Sequence, residues 1–548
     1  LSFEEARESI RLSTVFTTHT PVPAGNETFE LNLVERYLSD EIKAINMSFE
    51  QFAQYAKIDD SKEFSLSVLA IKFAQHINGV SKLHSSVSKE MWHSIYPLIY
   101  EDEMPIKAIT NGVHISSWLS RQMARLFDRY IGLDYVHNAD QRPIWKNILA
   151  IPEIEIWEAH QQRKQQMITF IRKRLRNSIM YNTSEFSATD KVKKILSPDK
   201  LIIGFARRFA TYKRANLILK DKERLLKMVR DKKRSVQFVF AGKAHPADEF
   251  GKAMIKEIRD FARENQIENS FVFIEDYNMN VARHIVQGVD VWLNNPIKPK
   301  EASGTSGMKA GMNGVMNLSI LDGWWPECYN KKNGWCITAG DNQSDPQIRD
   351  TLDANELYDN LENLIIPTYY DRDRNRIPST WIAMMKQSIY DVGMGFNIHR
   401  MLRKYIDKFY LPCWKEVSKI STKDYKYLKE LKETKSKLNK HWQNVKFEDV
   451  KINIQDSSEI TSGDEIDVNV KLDIDGINAE MLQVELFNKI RKNEYKIHKL
   501  NYIKTENKFA SFDGKFKVIC AGKQSFNIRI RPVQSNIVEY YELVKWYL

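Results

Sequence analysis

Four cysteines in 548 residues, Cys328, Cys336, Cys413 and Cys520, form no CxxC pair. That spacing leaves neither a structural zinc site nor a disulfide framework. No window approaches the roughly 18 to 20 uncharged apolar residues that a membrane-spanning helix needs. The N-terminal LSFEEARESI is acidic and amphipathic, unlike a secretory signal, so cytoplasmic residence is the default expectation. Internal repeats and low-complexity tracts are missing. So are a GxxxxGK[ST] phosphate loop, a GxGxxG dinucleotide turn and a GxSxG nucleophile elbow. His and carboxylate residues do not recur at ligand spacing, and no metal is expected.

Charge of one sign is present but thin. The chain carries 82 Lys+Arg against 71 Asp+Glu, a net +11. That is roughly one excess charge per 50 residues, far from the cationic stripe of a nucleic-acid binder. No nucleic-acid partner is expected. A 43% hydrophobic, 11% aromatic composition excludes global disorder and supports several domain-sized cores.

Residues 1 to about 110 read mainly as helices, including 30–56, 63–76 and 85–92, with a turn at Asn78-Gly79. A strand at 13–18 runs into HTPVPAG, where Pro21, Pro23 and Gly25 end regular structure and leave His19 and Thr20 at a strand-to-loop junction. AITNGVH, 108–114, is a second such junction. A long helix over 153–180 precedes five apolar runs, LIIGFA (201–206), VQFVFAG (236–242), FVFIED (271–276), VDVWLN (289–294) and VMNLSI (315–320). Amphipathic segments near 212–230, 247–266, 279–288 and 307–313 separate them. Buried runs alternating with helices predict a doubly wound parallel α/β sheet, whose ligands bind beyond the carboxyl ends of the strands. Helices are expected from about 381 to 410 and on to 441, where the lysine run 423–440 reads as a solvated face. After Val445, alternating runs such as VKINIQ and QSFNIRIR between Gly, Asp and Asn turns predict an antiparallel β-sandwich.

Two segments carry chemistry. In KPKEASGTSGMKAGMNG, 298–314, small residues let the backbone approach a ligand, and N–H groups near Gly307 can cradle an anion. Lys309, between Met308 and Ala310, suits an amine kept neutral by burial and able to condense with an aldehyde, although a surface lysine on a glycine-rich turn is an equal reading. In GFARRFATYKRANLIL, 204–219, Arg208 and Lys213 lie where a phosphate would bind, whereas Arg207 and Arg214 read as solvated. His19 and Asn111 could donate to a hydroxyl or an oxyanion.

Taken together, these motifs resemble the α-glucan (glycogen, starch and maltodextrin) phosphorylases. EASGTSGMKAGMNG is similar to that family's pyridoxal-phosphate lysine motif and RRFATYKR to its phosphate-binding segment. FTTHTPVPAG, AITNGVH and EDYNMNVARHIVQGVDVWLN follow in the family's order over about residues 1–430. GTSGMK in place of GTGNMK, and the β-rich tail, point to the bacterial and archaeal branch. The resemblance implies a two-lobe, glycosyltransferase-B-like α/β fold. In it, 1–112 is the end of an N-terminal lobe, 113–440 a pyridoxal-phosphate lobe with a helical return, and 445–548 a β-sandwich.

It further implies reversible phosphorolysis of an α-glucan to α-D-glucose 1-phosphate, with inorganic phosphate as co-substrate and homo-oligomers as a common state. Lys309 would bond pyridoxal 5′-phosphate covalently, Thr305, Ser306 and Gly307 would hold its phosphate, and Tyr277 would line its site. Arg208 and Lys213 would position the substrate phosphate. Glu301, Ser303, Gly304 and Asn111 would bind glucosyl hydroxyls beneath the His19 loop. Asn26 stands where this branch usually has His, and the family's lobe begins well before Leu1, so the chain by itself is expected to have little activity. A nucleotide-sugar glucosyltransferase and an inactive glucan-binding protein are the alternative readings.

Overall fold

The computed structural model describes residues 1–58, 61–182, 192–422, 425–454, 462–491, 494–518, 525–533 and 541–547. Cys520, Lys423 and the ends of two expected strands, Gln455 and Gln524, lie outside them. The first helix, Phe3–Ser13, starts at a capping box in which Ser2 Oγ accepts from Glu5 N while Ser2 N donates to Glu5 Oε2 at 2.8 Å. Strand β1 (Val15–Thr17) follows. β2 (Thr28–Glu30) pairs antiparallel with β3 (Glu63–Ser65), and β1 joins β4 (His76–Gly79) and β5 (Ile106–Ala108) in a parallel sheet of order β1-β4-β5.

Three expectations change here. The helix expected over 63–76 is confined to Leu66–Lys72, because Glu63–Ser65 pairs as β3, Ser65 caps the helix through its side chain, and His76 already belongs to β4. The helix expected over 30–56 is split into Leu31–Ala44 and Phe49–Ala53, because Asn46 takes φ +53° and Ser48 opens a new capping box with Gln51. Asn78-Gly79 is the middle strand of the sheet, not a turn. A Cβ on Gly79 would come within 2.8 Å of Ser85 N, so this glycine admits the helix Lys82–Trp92 instead of reversing the chain.

Beyond the long helix Glu153–Asn182 come β6 (Leu201–Ala206), β7 (Val236–Ala241), β8 (Phe271–Ile274), β9 (Val291–Asn294), β10 (Met316–Ile320) and β11 (Gly334–Ile337). They form one parallel sheet of order β11-β10-β9-β6-β7-β8. All six residues of β6 and of β7 are buried, as strands covered on both faces require. The order reverses between β6 and β9, and that switch point opens the crevice at their carboxyl ends. β11 and the helix Pro346–Asn360 that follows it are additions to the expected five strands. The helix expected over 212–230 is reduced to Lys222–Arg230, preceded by two short 3₁₀ turns, because Arg214 is left-handed at φ +47°.

The return helices Ser379–Gly395, Ile398–Tyr405, Leu411–Ile420 and Lys426–Trp442 lie back on the start of the chain. Leu12 packs with Ile420, Leu428 and Leu431, and Ile109 with Tyr405 and Phe409. The tail is a sandwich of two antiparallel sheets, β12-β13-β17-β16 and β15-β14-β18-β19, formed by β12 (Lys446–Ile454), β13 (Glu465–Asp473), β14 (Leu482–Arg491), β15 (Glu494–Lys499), β16 (Asn501–Glu506), β17 (Phe509–Lys517), β18 (Ser525–Pro532) and β19 (Lys545–Trp546). Ile466, Val468, Val470 and Leu472 alternate into its core. No helix among the described residues is long and apolar enough to cross a membrane.

Candidate functional site

A cleft of about 300 Å³ opens at the switch point. His19, Thr20, Val80 and Asn111 form one wall. Arg207, Arg208, Tyr212, Lys213 and the loop 300–306 form the other. Nine of the residues singled out from sequence thus meet here: His19, Asn111, Arg208, Lys213, Glu301, Ser303, Gly304, Thr305 and Ser306. Gly307, Lys309 and Tyr277 are not part of this lining and lie behind it.

The cationic wall starts where β6 ends. Arg207 is buried, not solvated. Its guanidinium bonds Asn294 Oδ1, donates to Ser306 Oγ at 3.4 Å and stands 3.6 Å from Glu301. Arg214 is buried as well, donating to the backbone oxygens of Asn295 and Pro296 and pairing with Asp350 and Asp353 at 2.8 and 2.7 Å. Both corrections have one cause, since the partners come from segments more than 80 residues downstream. Lys213 donates to Glu301 Oε2 at 2.8 Å and lies over the Tyr212 ring. Burial alone would raise the Glu301 carboxyl, but Lys213 and Arg207 outweigh it and hold that carboxyl below its usual range. Arg208 stays exposed.

The loop 300–304 is pinned from behind by Asp322, which the sequence reading missed. Its Oδ2 accepts from Glu301 N at 2.9 Å and its Oδ1 from Gly323 N at 2.7 Å, while Trp324 N donates to Ser303 O. Burial pushes the Asp322 carboxyl up to about 7. Its position, two residues past a parallel strand, was the available signal. Gly304 turns the chain at φ +76° into the helix Thr305–Gly311. At Gly307 a Cβ would stand 2.4 Å from Asn317 Oδ1, so only glycine lets this helix sit on the sheet. The buried Ser303 Oγ and Arg207 Nε have no protein partner.

Lys309 leaves the far side of that helix, with its Nζ 3.7 Å above the Trp118 ring. Trp118 is fixed by its carbonyl, which accepts from Gln287 and Asn313 at 2.9 Å each. Burial lowers the Lys309 ammonium below its ordinary value. Tyr277 and Ala310 pack into the same apolar cluster as Trp118, and Tyr277 OH donates to Ala206 O at 3.3 Å. On the opposite wall Asn111 is held by its backbone, N–H to Val80 O and C=O from Arg400 at 2.8 Å. Asn26 donates to the carbonyls of Thr20 and Val22 and accepts from Ser67, which pins the His19 loop.

Two family models match the chain: carbohydrate phosphorylase over residues 1–331 and glycogen phosphorylase C-terminal domain over 442–547. Among curated proteins, the maltodextrin phosphorylase of Thermococcus litoralis is 40% identical over 501 residues, covering 91% of this chain and 57% of that protein. The glycogen phosphorylase of Aquifex aeolicus is 40% identical over 76% of this chain and 60% of its own. That of Mycobacterium tuberculosis is 35% identical over 82% and 52%. The chain therefore spans about half the length of the curated relatives it matches.

Proposed function

The chain belongs to the carbohydrate phosphorylase family, and from that membership we propose that it carries the phosphate- and cofactor-handling part of an α-1,4-glucan phosphorylase. The reaction is reversible cleavage at the non-reducing end of an α-glucan by inorganic phosphate, giving α-D-glucose 1-phosphate. The observation that carries the proposal is the cleft itself, with cations on one wall and hydrogen-bonding groups on the other. The same reading divides the chain at 1–112, 113–440 and 445–548.

Pyridoxal 5′-phosphate suits the residues behind the cleft. Lys309 has an apolar cover and a lowered proton affinity, both suited to bonding an aldehyde. Thr305, Ser306 and Gly307 offer hydroxyl and backbone donors for the cofactor phosphate, Tyr277 a flank, and the unpartnered Ser303 Oγ and Arg207 Nε two vacant donors. When bound, the cofactor supplies a second phosphate that exchanges protons with the substrate phosphate.

The protein's own groups do the positioning. Arg208 presents a guanidinium to the incoming phosphate, and Lys213, which spends one N–H on Glu301, has two more to donate. These cations hold the phosphate dianion beside the anomeric carbon, where its negative charge stabilises the cation-like sugar formed as the glycosidic bond breaks. A phosphate oxygen passes its proton to the departing glucan oxygen and then captures the glucosyl group on the same face. Glu301, Ser303, Gly304 and Asn111 fix the glucosyl hydroxyls, and His19 closes the cleft from across. A carboxylate pair for hydrolysis is not needed.

The test is release of glucose 1-phosphate from maltodextrin by a protein containing these residues, with and without pyridoxal phosphate. Lys309→Ala is expected to abolish both the near-ultraviolet cofactor absorbance and the release. Glucosyl transfer from a nucleotide sugar that survives Lys309→Ala would overturn the reading in favour of a synthase.

A further inference from the structure

One short turn touches both walls of the cleft. Residues 322–328 follow β10, and the first of them grip the loop 300–304: Asp322 accepts from Glu301 N, and Trp324 N donates to Ser303 O. On the helix Trp325–Cys328 the half-buried Glu327 then reaches the opposite wall. Its Oε1 accepts from Lys82 N at 2.8 Å, and Thr110 Oγ1 stands 2.9 and 2.8 Å from its two oxygens. Lys82 opens the helix Lys82–Trp92, whose N-terminal N–H groups and positive dipole end favour a carboxylate there.

What Glu327 holds is the residue next to Asn111. The carbonyls of Thr110 and Asn111 both accept from Arg400, at 2.7 and 2.8 Å, and Asn111 N donates to Val80 O at 3.0 Å. On either side the segment is laced in, Ile109 N to Gly79 O and Val113 N to Phe396 O. The backbone of 109–113 is thus rigid along its length, and a shift at Thr110 carries Asn111 with it. Glu327 ties this rigid segment to the turn that fixes Glu301, Ser303 and Gly304. Groups that hold one sugar from two sides must keep their separation, because a misplacement of about 1 Å is costly.

We propose that Glu327 is a positioning residue for the sugar. Resting on the reading of the cleft given above, it sets the separation between Asn111 and the loop 301–304, and with it the fit of the glucosyl group held between them. It acts through Thr110 and Asn111 and touches no substrate. Arg208 and Lys213 lie on the wall of the loop itself, so phosphate binding does not depend on this tie.

Calorimetric titration of the chain, loaded with pyridoxal 5′-phosphate, against inorganic phosphate and against α-D-glucose 1-phosphate tests this. Inorganic phosphate reports the cations alone, and the sugar phosphate adds the hydroxyl contacts of both walls. The unmodified chain is expected to prefer the sugar phosphate. Glu327→Leu removes the acceptor of Thr110 and Lys82, and should weaken glucose 1-phosphate about tenfold while inorganic phosphate stays within about twofold. Glu327→Gln keeps an oxygen for both donors and should recover most of the affinity. Thr110→Val keeps the side-chain shape and leaves Glu327 on Lys82 N, and should show the same split even if Glu327→Leu does not fold. Asn111→Ala should also weaken glucose 1-phosphate, and adding Glu327→Leu to it should cost nothing further, because the one acts through the other. Losses that multiply in the double variant, or a Glu327→Leu that weakens both ligands equally or neither, would overturn the proposal. An unmodified chain that binds glucose 1-phosphate no better than inorganic phosphate would overturn the glucosyl reading of the cleft, and the proposal with it.

Discussion

Asp322→Asn separates two contributions that the buried carboxyl makes to the loop bearing Glu301. In the folded protein this carboxyl titrates near 7, against 3.8 for an exposed aspartate, because burial disfavours its charged form. A carboxyl whose folded pKa lies above its unfolded value binds its proton more tightly when folded. Its stabilising effect is therefore complete below about 3.8 and is lost as the pH rises through 7. Between pH 5 and pH 8 the loss amounts to about two pH units at 1.36 kcal/mol each, or about 3 kcal/mol. Asparagine has no such dependence.

At pH 5 the protonated aspartate and the amide are close in shape and each offers one carbonyl acceptor to Glu301 N or Gly323 N, so the two proteins should be about equally stable. At pH 8 Asp322→Asn should hold the loop more firmly by about 3 kcal/mol, because the N–H that the amide leaves without an oxygen is equally unpaired beside the protonated aspartate at pH 5 and cancels in the comparison. The chain has several cores, so a single unfolding midpoint is a poor measure. Hydrogen exchange of the segment 298–304, corrected for intrinsic rate and followed from pH 5 to pH 8, reads the local opening directly. Parallel pH profiles for the two proteins would refute the argument, because they would mean that Asp322 does not change charge in this range.

Glu301→Gln should cost the loop about 3–5 kcal/mol of local stability in the same hydrogen-exchange measurement, since it leaves Lys213 and Arg207 buried without a counter-charge, and Glu301→Gln/Lys213→Met should recover part of it. A double variant no better than the single one would contradict this. Arg529, fully buried, clamps Glu103 through two bonds of 2.5 Å and also reaches Glu485, while Tyr100 stacks on Phe487 at 4.8 Å. Arg529→Met should therefore loosen the sandwich from residues 101–103, seen as faster release of a 445–548 fragment in limited proteolysis. Lys517→Met, which removes only an exposed 3.8 Å pair with Glu465, should leave the digestion rate unchanged.

What could be read from the sequence was whatever depends on near neighbours. The runs at 201–206 and 236–241 announce strands because a parallel sheet buries both faces, so their residues are apolar or glycine except Gln237, whose buried amide oxygen accepts from Ser197 N. The glycine-rich turn before Lys309 is legible for a similar reason, since φ +76° at Gly304 and the close approach at Gly307 each demand a missing side chain. Gly334–Ile337 escaped because its apolar part is only Trp335, Cys336 and Ile337, set between the polar segment 330–333 and the turn 338–340, whereas the equally short Phe271–Ile274 and Val291–Asn294 sit in longer apolar runs.

The cations after β6 escaped for a different reason. Arg207, Arg208, Lys213 and Arg214 look alike in sequence, and what tells them apart is which carboxylates the fold delivers from afar. Glu301 reaches Arg207 and Lys213, and Asp350 and Asp353 reach Arg214. Among the described residues no carboxylate comes within ion-pair distance of Arg208, which alone of the four is exposed to the cleft. The protein thus neutralises three of these charges itself and leaves the fourth to the ligand. Arg208, not the cation-rich segment as a whole, is therefore where removing a single charge should cost phosphate binding without cost to the fold.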